Sequence, residues 1–397
     1  MPFEDRGGKM RSERFAAIGA LLCSGTFSAA ACTSWVLRPE VTESGRMIIQ
    51  KILDERYRNR LDADFRVAPN GWRWLRVGSF GNGASMTMNE KGVALTTNCG
   101  DPNGEGRSFR GPRHAMGSGE LQRLVAKNCA TAAEAVEMLK TVARNRLFVY
   151  GVKNYGTILL VADPHRAFLV EIGDGYAESC EVANGILVVA NGWKLPGGET
   201  VSLFNLPDGR SQRTREACAV RALQKNRVDG KYTVSGCFDA SRGIRKRQFD
   251  ERFPFVPGNR KATNMSLETT CFELDAEFPA FLSCAYVSLG PQRHTVYLPV
   301  PMALRQLPDK MRDGRWAEMA YAHQEAFGPE HADLPKIVEL ENKFLAEFKA
   351  TRERARGLLK DGKQDEAAKL LNDCFDRQYA AADKLMTELQ TKAAAAK

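Results

Sequence analysis

Residues 15–30 carry no charge, follow Arg11 and Arg14, and end in Ala29-Ala30-Ala31 directly before Cys32. A positive start, a short apolar middle and small residues at the last and third-last positions are the parts of a secretory signal. Glu4 and Asp5 are unusual ahead of such a stretch, and a start at Met10 would remove them. The stretch is shorter than the roughly 20 apolar residues that a membrane span requires, and no later segment comes close. The expectation is an exported protein (periplasmic, extracellular or in the cell envelope) without stable membrane insertion, whose fold begins at Cys32. A chain that starts on Cys32 has two uses for it. One is a lipid anchor, although the lipidation signal usually has Leu three residues before the cysteine and this chain has Ala29 there. The other is a nucleophile with its own α-amine beside it. Cleavage elsewhere would leave Cys32 an ordinary residue.

The chain has globular composition: of the 397 residues 43% are hydrophobic and 26% charged, which excludes disorder, collagen and a coiled coil as the main architecture. The net charge of +9 is scattered, and its densest run, residues 242–247, reads as solvated surface. Nucleic-acid binders concentrate such charge on one face with interleaved aromatics, so no nucleic-acid partner is expected. Attraction to anionic substrates or polymers is the alternative. Ten cysteines include no CxxC pair. With Cys23 lost in the signal and Cys32 set aside, eight remain, an even number that disulfides in an exported protein would use, with connectivity open. The five histidines, 114, 165, 294, 323 and 331, show no HExxH-type spacing, so no zinc site is expected.

Short strand signals fill residues 32 to about 310. Strands are expected at 32–37 and 47–53, and in hairpins 84–88/93–97 around Asn89-Glu90-Lys91-Gly92 and 157–162/167–172 around Asp163-Pro164-His165. A buried strand is expected at 186–190, and a late hairpin at 281–289/295–300. Thr131 and Glu134 form a capping box opening a helix over 132–144. Ala217, Val220 and Leu223 give 213–224 helical periodicity. From Leu334 to Ala395 the pattern is helical, with Asp361-Gly362 breaking it into a hairpin of helices. This tail reads as an accessory layer, with homo-oligomer formation through it as the alternative.

An N-terminal cysteine carries a thiol nucleophile and an α-amine, of reference pKa about 7.7–8.0, that can take the thiol proton. Such chemistry also needs an amide or N–H donor for the oxyanion, an acid to hold the amine and a cation to favour the thiolate.

Here the motifs become specific. Cys32-Thr33-Ser34-Trp35 resembles the mature start of the N-terminal-nucleophile (Ntn) cysteine hydrolases: penicillin V acylase, choloylglycine hydrolase, the acyl-coenzyme A:6-aminopenicillanic acid acyltransferases and the Ntn dipeptidases. Their Arg-x-x-Asp frame is matched by Lys51 to Asp54, with Lys51 in the arginine slot; lysine keeps the charge but loses the planar fork. Met88-Asn89-Glu90-Lys91-Gly92 is similar to the family's hairpin. Asn98 and Asn191 fall near its two active-site asparagines, and residues 129–142 resemble its capped helix. Arg213 resembles its later arginine, with Arg215 as a rival one slip away. Residues 285–299 resemble a closing hairpin of the dipeptidase branch. Asparagine also suits strand-end turns for local reasons. Trp35, Trp72, Trp74 and Trp193 read as packing residues, with Trp193 also suited to wall a substrate pocket.

The resemblance covers residues 32 to about 305. It implies an α+β fold, a four-layer αββα sandwich over 32–310, extended by helices in 311–397. It implies hydrolysis of a linear amide C–N bond, with a small-molecule amide as substrate. Cys32 would attack, Asp54 orient its amine, Asn98 and Asn191 hold the oxyanion, and Lys51 and Arg213 bias the charge; no metal or organic cofactor is required. Acyl transfer to an amine acceptor, dipeptidase activity and, outside enzymes, a lipid-anchored envelope protein are the alternatives.

Overall fold

The computed structural model describes residues 32–57, 60–79, 84–100, 116–145, 147, 156–173, 176–192, 194–195, 211–243 and 262–396. Residues 1–31, with the expected signal, lie outside them, as does Trp193.

Two wholly antiparallel sheets form the centre. One has six strands: β10 (Ile186–Val189), β1 (Thr33–Leu37), β2 (Met47–Tyr57), β11 (Ala262–Leu274), β12 (Cys284–Leu289) and β13 (Leu298–Pro301), in that order. The other has seven strands in sequence order: β3 (Leu61–Val67), β4 (Arg73–Ser79), β5 (Met86–Asn89), β6 (Ala94–Gly100), β7 (Gly156–Ala162), β8 (Ala167–Gly173) and β9 (Tyr176–Glu181). Alternate residues point to opposite faces of a strand. Val36, Ile49 and Leu53 of the first sheet thus meet Leu75, Met88 and Leu160 of the second, while Trp35, Ile48 and Ile52 face away.

Helices cover both outer faces. α1 (Ser118–Asn128) and α2 (Ala132–Arg144) lay Leu121, Val125, Leu139 and Val142 on Leu95, Leu159 and Val170. α3 (Ser211–Lys225) and α4 (Val234–Gly243) cover the six-stranded sheet through Ala219, Leu223 and Phe238. The layer order is therefore helix, sheet, sheet, helix, as the resemblance implies. α5 (Arg315–Phe327), α6 (Leu334–Lys360) and α7 (Gln364–Ala395) add Trp316, Phe344, Phe375 and Met386 to the core between the sheets. α6 and α7 both pack on edge strand β13, which removes an open edge.

Local chemistry sets several boundaries. Thr131 Oγ1 accepts the Glu134 N–H at 3.2 Å, and Glu134 reaches back to the Ala130 N–H at 2.7 Å. α6 stops at Gly362, φ +76°, with Gly362 N–H on Leu359 O and Lys363 N–H on Leu358 O at 3.1 and 2.8 Å, a Schellman motif that only glycine adopts cheaply. Asn89 binds its own hairpin at Lys91 and Val93 and donates to Ala126 O and Cys129 O, so the hairpin expected from sequence also pins the end of α1.

Three expectations change. Arg242, read as solvated, is buried and paired with Glu341 at 2.6 Å. Among the described residues Cys129, Cys180, Cys218, Cys237, Cys271, Cys284 and Cys374 are thiols outside any disulfide. His294, His323 and His331, which carry no spacing signal, come together in one cluster. Among the described residues no helix is long and apolar enough to cross a membrane.

Candidate functional site

The site is built where strands end. Cys32 stands at the head of β1, only 2% exposed, on the face turned to the second sheet. β1 pairs with β2 so that Thr33 faces Ile52 and Ser34 faces Lys51. One residue beyond, Cys32 stands opposite Leu53, beside Asp54. On the other side β1 pairs with β10, whose end leads into Ala190 and Asn191. β6 supplies Asn98 from the opposite sheet, and α3 supplies Arg215 from above.

Hydrogen bonds hold these groups in two linked sets, one through Arg215 and one through Asn98. Arg215 Nη1 donates to the Cys32 carbonyl at 3.1 Å, and Nη2 donates to Asn191 Oδ1 at 2.8 Å. An arginine has only donors, so this contact fixes the Asn191 amide with its oxygen toward Arg215 and its NH2 away. Asn98 donates from Nδ2 to Val189 O and Ala190 O at 3.3 and 2.9 Å, and accepts the Ser34 hydroxyl on Oδ1 at 2.7 Å. Asn98 therefore ties the end of β10 to β1 across the sheets, with its amide hydrogens directed at backbone carbonyls.

Lys51 and Asp54 lie on β2, both buried. Among the described residues no carboxylate lies within ion-pair distance of Lys51, which is 2% exposed, and its ladder neighbours are Ser34 and Thr270. Asp54 accepts the Ser266 hydroxyl at 2.6 Å, where the β2–β11 register slips and Leu267 is left over. The structure thus joins Cys32 and Asn191 through Arg215, sets Asn98 on their backbone neighbours Ser34 and Ala190, and places Lys51 and Asp54 on the strand beside them. Among the described residues the guanidinium that reaches the cluster is that of Arg215; Arg213 lies two positions earlier on α3, with its side chain outside the described residues.

Sequence reasoning missed the residues that hold this chain. Glu216 Oε1 accepts the Ala190 N–H at 2.8 Å, and its Oε2 takes Lys194 Nζ at 2.6 Å. Glu171 accepts the Lys194 and Leu195 N–H groups at 2.7 and 3.0 Å, and burial pushes its carboxyl up to about 7 against the pull of those donors and of the Lys194 charge. The only signal in the sequence is Glu216 beside Arg215; Glu171 sits in an apolar strand with nothing to mark it. Trp35 and Trp74 are buried packing residues as expected, while Trp72 is partly exposed beneath the Lys91 ammonium, 5.0 Å from the ring centroid.

The chain is thus an α+β protein of four αββα layers with a polar, hydrogen-bonded cluster at the strand ends around a buried cysteine. No protein-family model matches the sequence, and no curated protein matches it. Solved structures do resemble it. A variant of conjugated bile acid hydrolase from Clostridium perfringens is 12% identical at a TM-score of 0.44, over 68% of this chain and 92% of that one. A second mutant of that hydrolase is 14% identical at 0.38, with 68% and 92% covered. Penicillin V acylase from Agrobacterium tumefaciens is 14% identical at 0.35, with 68% and 86% covered.

Proposed function

We propose that the mature chain is an exported hydrolase of linear amide C–N bonds that uses Cys32 as an N-terminal nucleophile. The observation that carries this reading is the hydrogen-bonded chain from the Cys32 carbonyl through Arg215 to Asn191. It fixes both a nucleophile-bearing backbone and a neutral donor whose NH2 is turned away from its holder.

In the proposed reaction the Cys32 α-amine takes the thiol proton and Sγ attacks the amide carbonyl. The oxyanion is met by the Asn191 NH2, with Asn98 as a positioning residue that holds the end of β10 in place. The tetrahedral intermediate collapses to a thioester, and the amine returns the proton to the leaving nitrogen. Water, deprotonated by the same amine, then releases the acid. Lys51, buried beside Ser34 without a carboxylate partner among the described residues, supplies the positive charge that favours a thiolate. Asp54 orients the α-amine, which exists only once residues 1–31 are removed.

The test is mass spectrometry of the secreted protein, before and after incubation with N-acyl amino acids, penicillin V, conjugated bile salts and dipeptides. The expected result is a free Cys32 N-terminus and a substrate-derived thioester on that residue. A diacylglyceryl adduct on Cys32 would replace this reading with the lipid anchor. Product formation only with an added amine acceptor would replace hydrolysis with acyl transfer, and turnover of dipeptides alone would make it a dipeptidase.

A further inference from the structure

His294 lies in the loop between β12 and β13, His323 on α5 and His331 in the turn between α5 and α6, yet one ring nitrogen of each lies within 4.8 Å of the others. Their ring centroids are 4.3 to 5.1 Å apart. His294 and His323 are 1% and 0% exposed. The closest approach is Nδ1 to Nδ1 between these two, at 2.9 Å. His294 Nε2, His323 Nε2 and His331 Nδ1 are buried without a well-aligned hydrogen-bond partner. Asp333 lies 3.4 Å from His323 Nε2, but His294 Nε2 and His331 Nδ1 have no such neighbour; an unsatisfied buried polar atom costs about 1–3 kcal/mol, so two in one cluster point to a ligand.

We infer that His294, His323 and His331 form a binding site for a divalent transition metal of the Zn2+ type. Imidazole suits Zn2+, and three imidazoles with a fourth position left for water are a complete protein contribution to such a site. The surroundings prepare the rings as neutral ligands. His331 Nε2 lies 2.6 Å from the Arg293 carbonyl, which accepts a hydrogen bond from Nε2–H and leaves Nδ1 as a lone pair. His323 Nε2 lies 3.4 Å from the Asp333 carboxylate, which favours the proton there and leaves Nδ1 as a lone pair facing His294 Nδ1, where a metal would replace that contact. Metal-bound histidines commonly give their second nitrogen to a carbonyl or carboxylate in this way. Asp333 is itself held by Lys392 at 2.6 Å and Lys336 at 3.5 Å, and Arg293 ties the loop down through Pro329 O at 2.9 Å and Glu330 at 3.1 Å. Burial disfavours the charged form of all three rings. Two nitrogens on one tetrahedral Zn2+ with Zn–N near 2.1 Å sit about 3.4 Å apart, so atoms that lie within 4.8 Å of one another must approach by at most about 1.4 Å to close the site.

This site is separate from Cys32. β12 ends at Leu289 on the same end of the sheet, but β1 and β12 are three strand spacings apart, about 14 Å at 4.8 Å per strand. The separation matters for the test, because an N-terminal cysteine can itself chelate zinc. Full-length mature protein, its Cys32→Ser variant, His331→Gln and, as a control, the exposed-loop His165→Gln are stripped with chelator, dialysed against Zn2+ and assayed for bound metal and Tm. Wild type, Cys32→Ser and His165→Gln should each keep one high-affinity Zn2+ and gain Tm on loading. His331→Gln, with its fold confirmed by circular dichroism, should bind on the order of 100-fold more weakly or worse. X-ray absorption at the zinc edge of loaded Cys32→Ser should show nitrogen and oxygen ligands with imidazole scattering, a result that stands even if His331→Gln does not fold. Absence of bound zinc in folded Cys32→Ser overturns the inference. So does unchanged affinity in folded His331→Gln, or an edge spectrum without imidazole.

Discussion

Two buried polar clusters stand near one end of the six-stranded sheet, and they are built on opposite principles. Around Cys32, Asn98 engages two carbonyls and a hydroxyl, Arg215 a carbonyl and an amide, and Glu216 an N–H and an ammonium. In the histidine cluster three ring nitrogens have no well-aligned partner. A satisfied network has one low-energy arrangement and so fixes geometry; an unsatisfied one is stable only at a cost that a ligand can remove. The first suits positioning of a reacting group, the second suits capture of an ion.

The largest effect that would break this contrast is at Cys32 itself. Cys32→Ala should lower kcat by about 10⁴-fold or more, the scale seen when a nucleophile is removed, while Tm stays near wild type. An uncleavable extension before Cys32 should do the same, because it removes the α-amine. Activity surviving in either protein would return Cys32 to a structural role.

Next come the residues that hold the cluster. Asn191→Ala should cost about 10²–10³ in kcat, the range for one oxyanion donor. Arg215→Met should approach this, since it frees both the Asn191 amide and the Cys32 carbonyl. Asn98→Ala should act more on stability, by about 1–3 kcal/mol, because it orphans the Ser34 hydroxyl and two strand carbonyls. Equal kcat losses at Asn98 and Asn191 with unchanged Tm would show that Asn98 is a donor to the oxyanion. The comparison of Arg215→Met with Arg213→Met tests which arginine belongs to the site.

The two clusters also differ in how far the sequence exposes them. Cys32, the Lys51–Asp54 frame, Asn98 and Asn191 each sit in a local motif on or next to a strand, so a reading along the chain finds them. Arg215 lies two positions along the helix from Arg213, and the periodicity of Ala217, Val220 and Leu223 shows a helix without fixing which arginine reaches the site. β11 gives no clear strand signal although it lies at the centre of its sheet: its Glu268, Thr269, Thr270 and Glu273 are polar yet buried, which breaks the alternation a strand signal rests on. The histidines give no signal at all. They come from a strand connection, a helix and a turn, and only tertiary packing makes their spacing.

A smaller effect concerns the cation on the strand beside Cys32. Lys51→Met should move the acidic limb of kcat/KM to higher pH by up to about one unit, since a cation near a thiol favours the thiolate. Lys51→Arg keeps the charge and should keep the limb. Profiles from three folded proteins that superimpose would remove Lys51 from the site.

The smallest expected effect lies in how pH acts on stability, where the two regions pull in opposite directions. Glu171, which holds the segment after Asn191, is raised by burial to about 7 from an unfolded value of 4.5. Its folded state keeps a proton that the unfolded chain loses, so its contribution is complete below pH 4.5 and is lost as pH rises through 7. His294 is lowered to about 2 from 6.5, so its contribution is complete above pH 6.5 and is lost as pH falls toward 2. Each slope is at most about 1.4 kcal/mol per pH unit, and between pH 4.5 and 6.5 they oppose each other. Glu171→Gln keeps the side chain uncharged in both states and isolates one of them. The difference in unfolding free energy, variant minus wild type, should grow between pH 4.5 and 7 and then level off, with a total of about 1–3 kcal/mol. Denaturant titrations across roughly pH 4 to 8 measure it. A flat difference would mean that the donors on Lys194 and Leu195 keep Glu171 ionised in the folded state as in the unfolded one, leaving the histidines as the only source of pH dependence in this comparison.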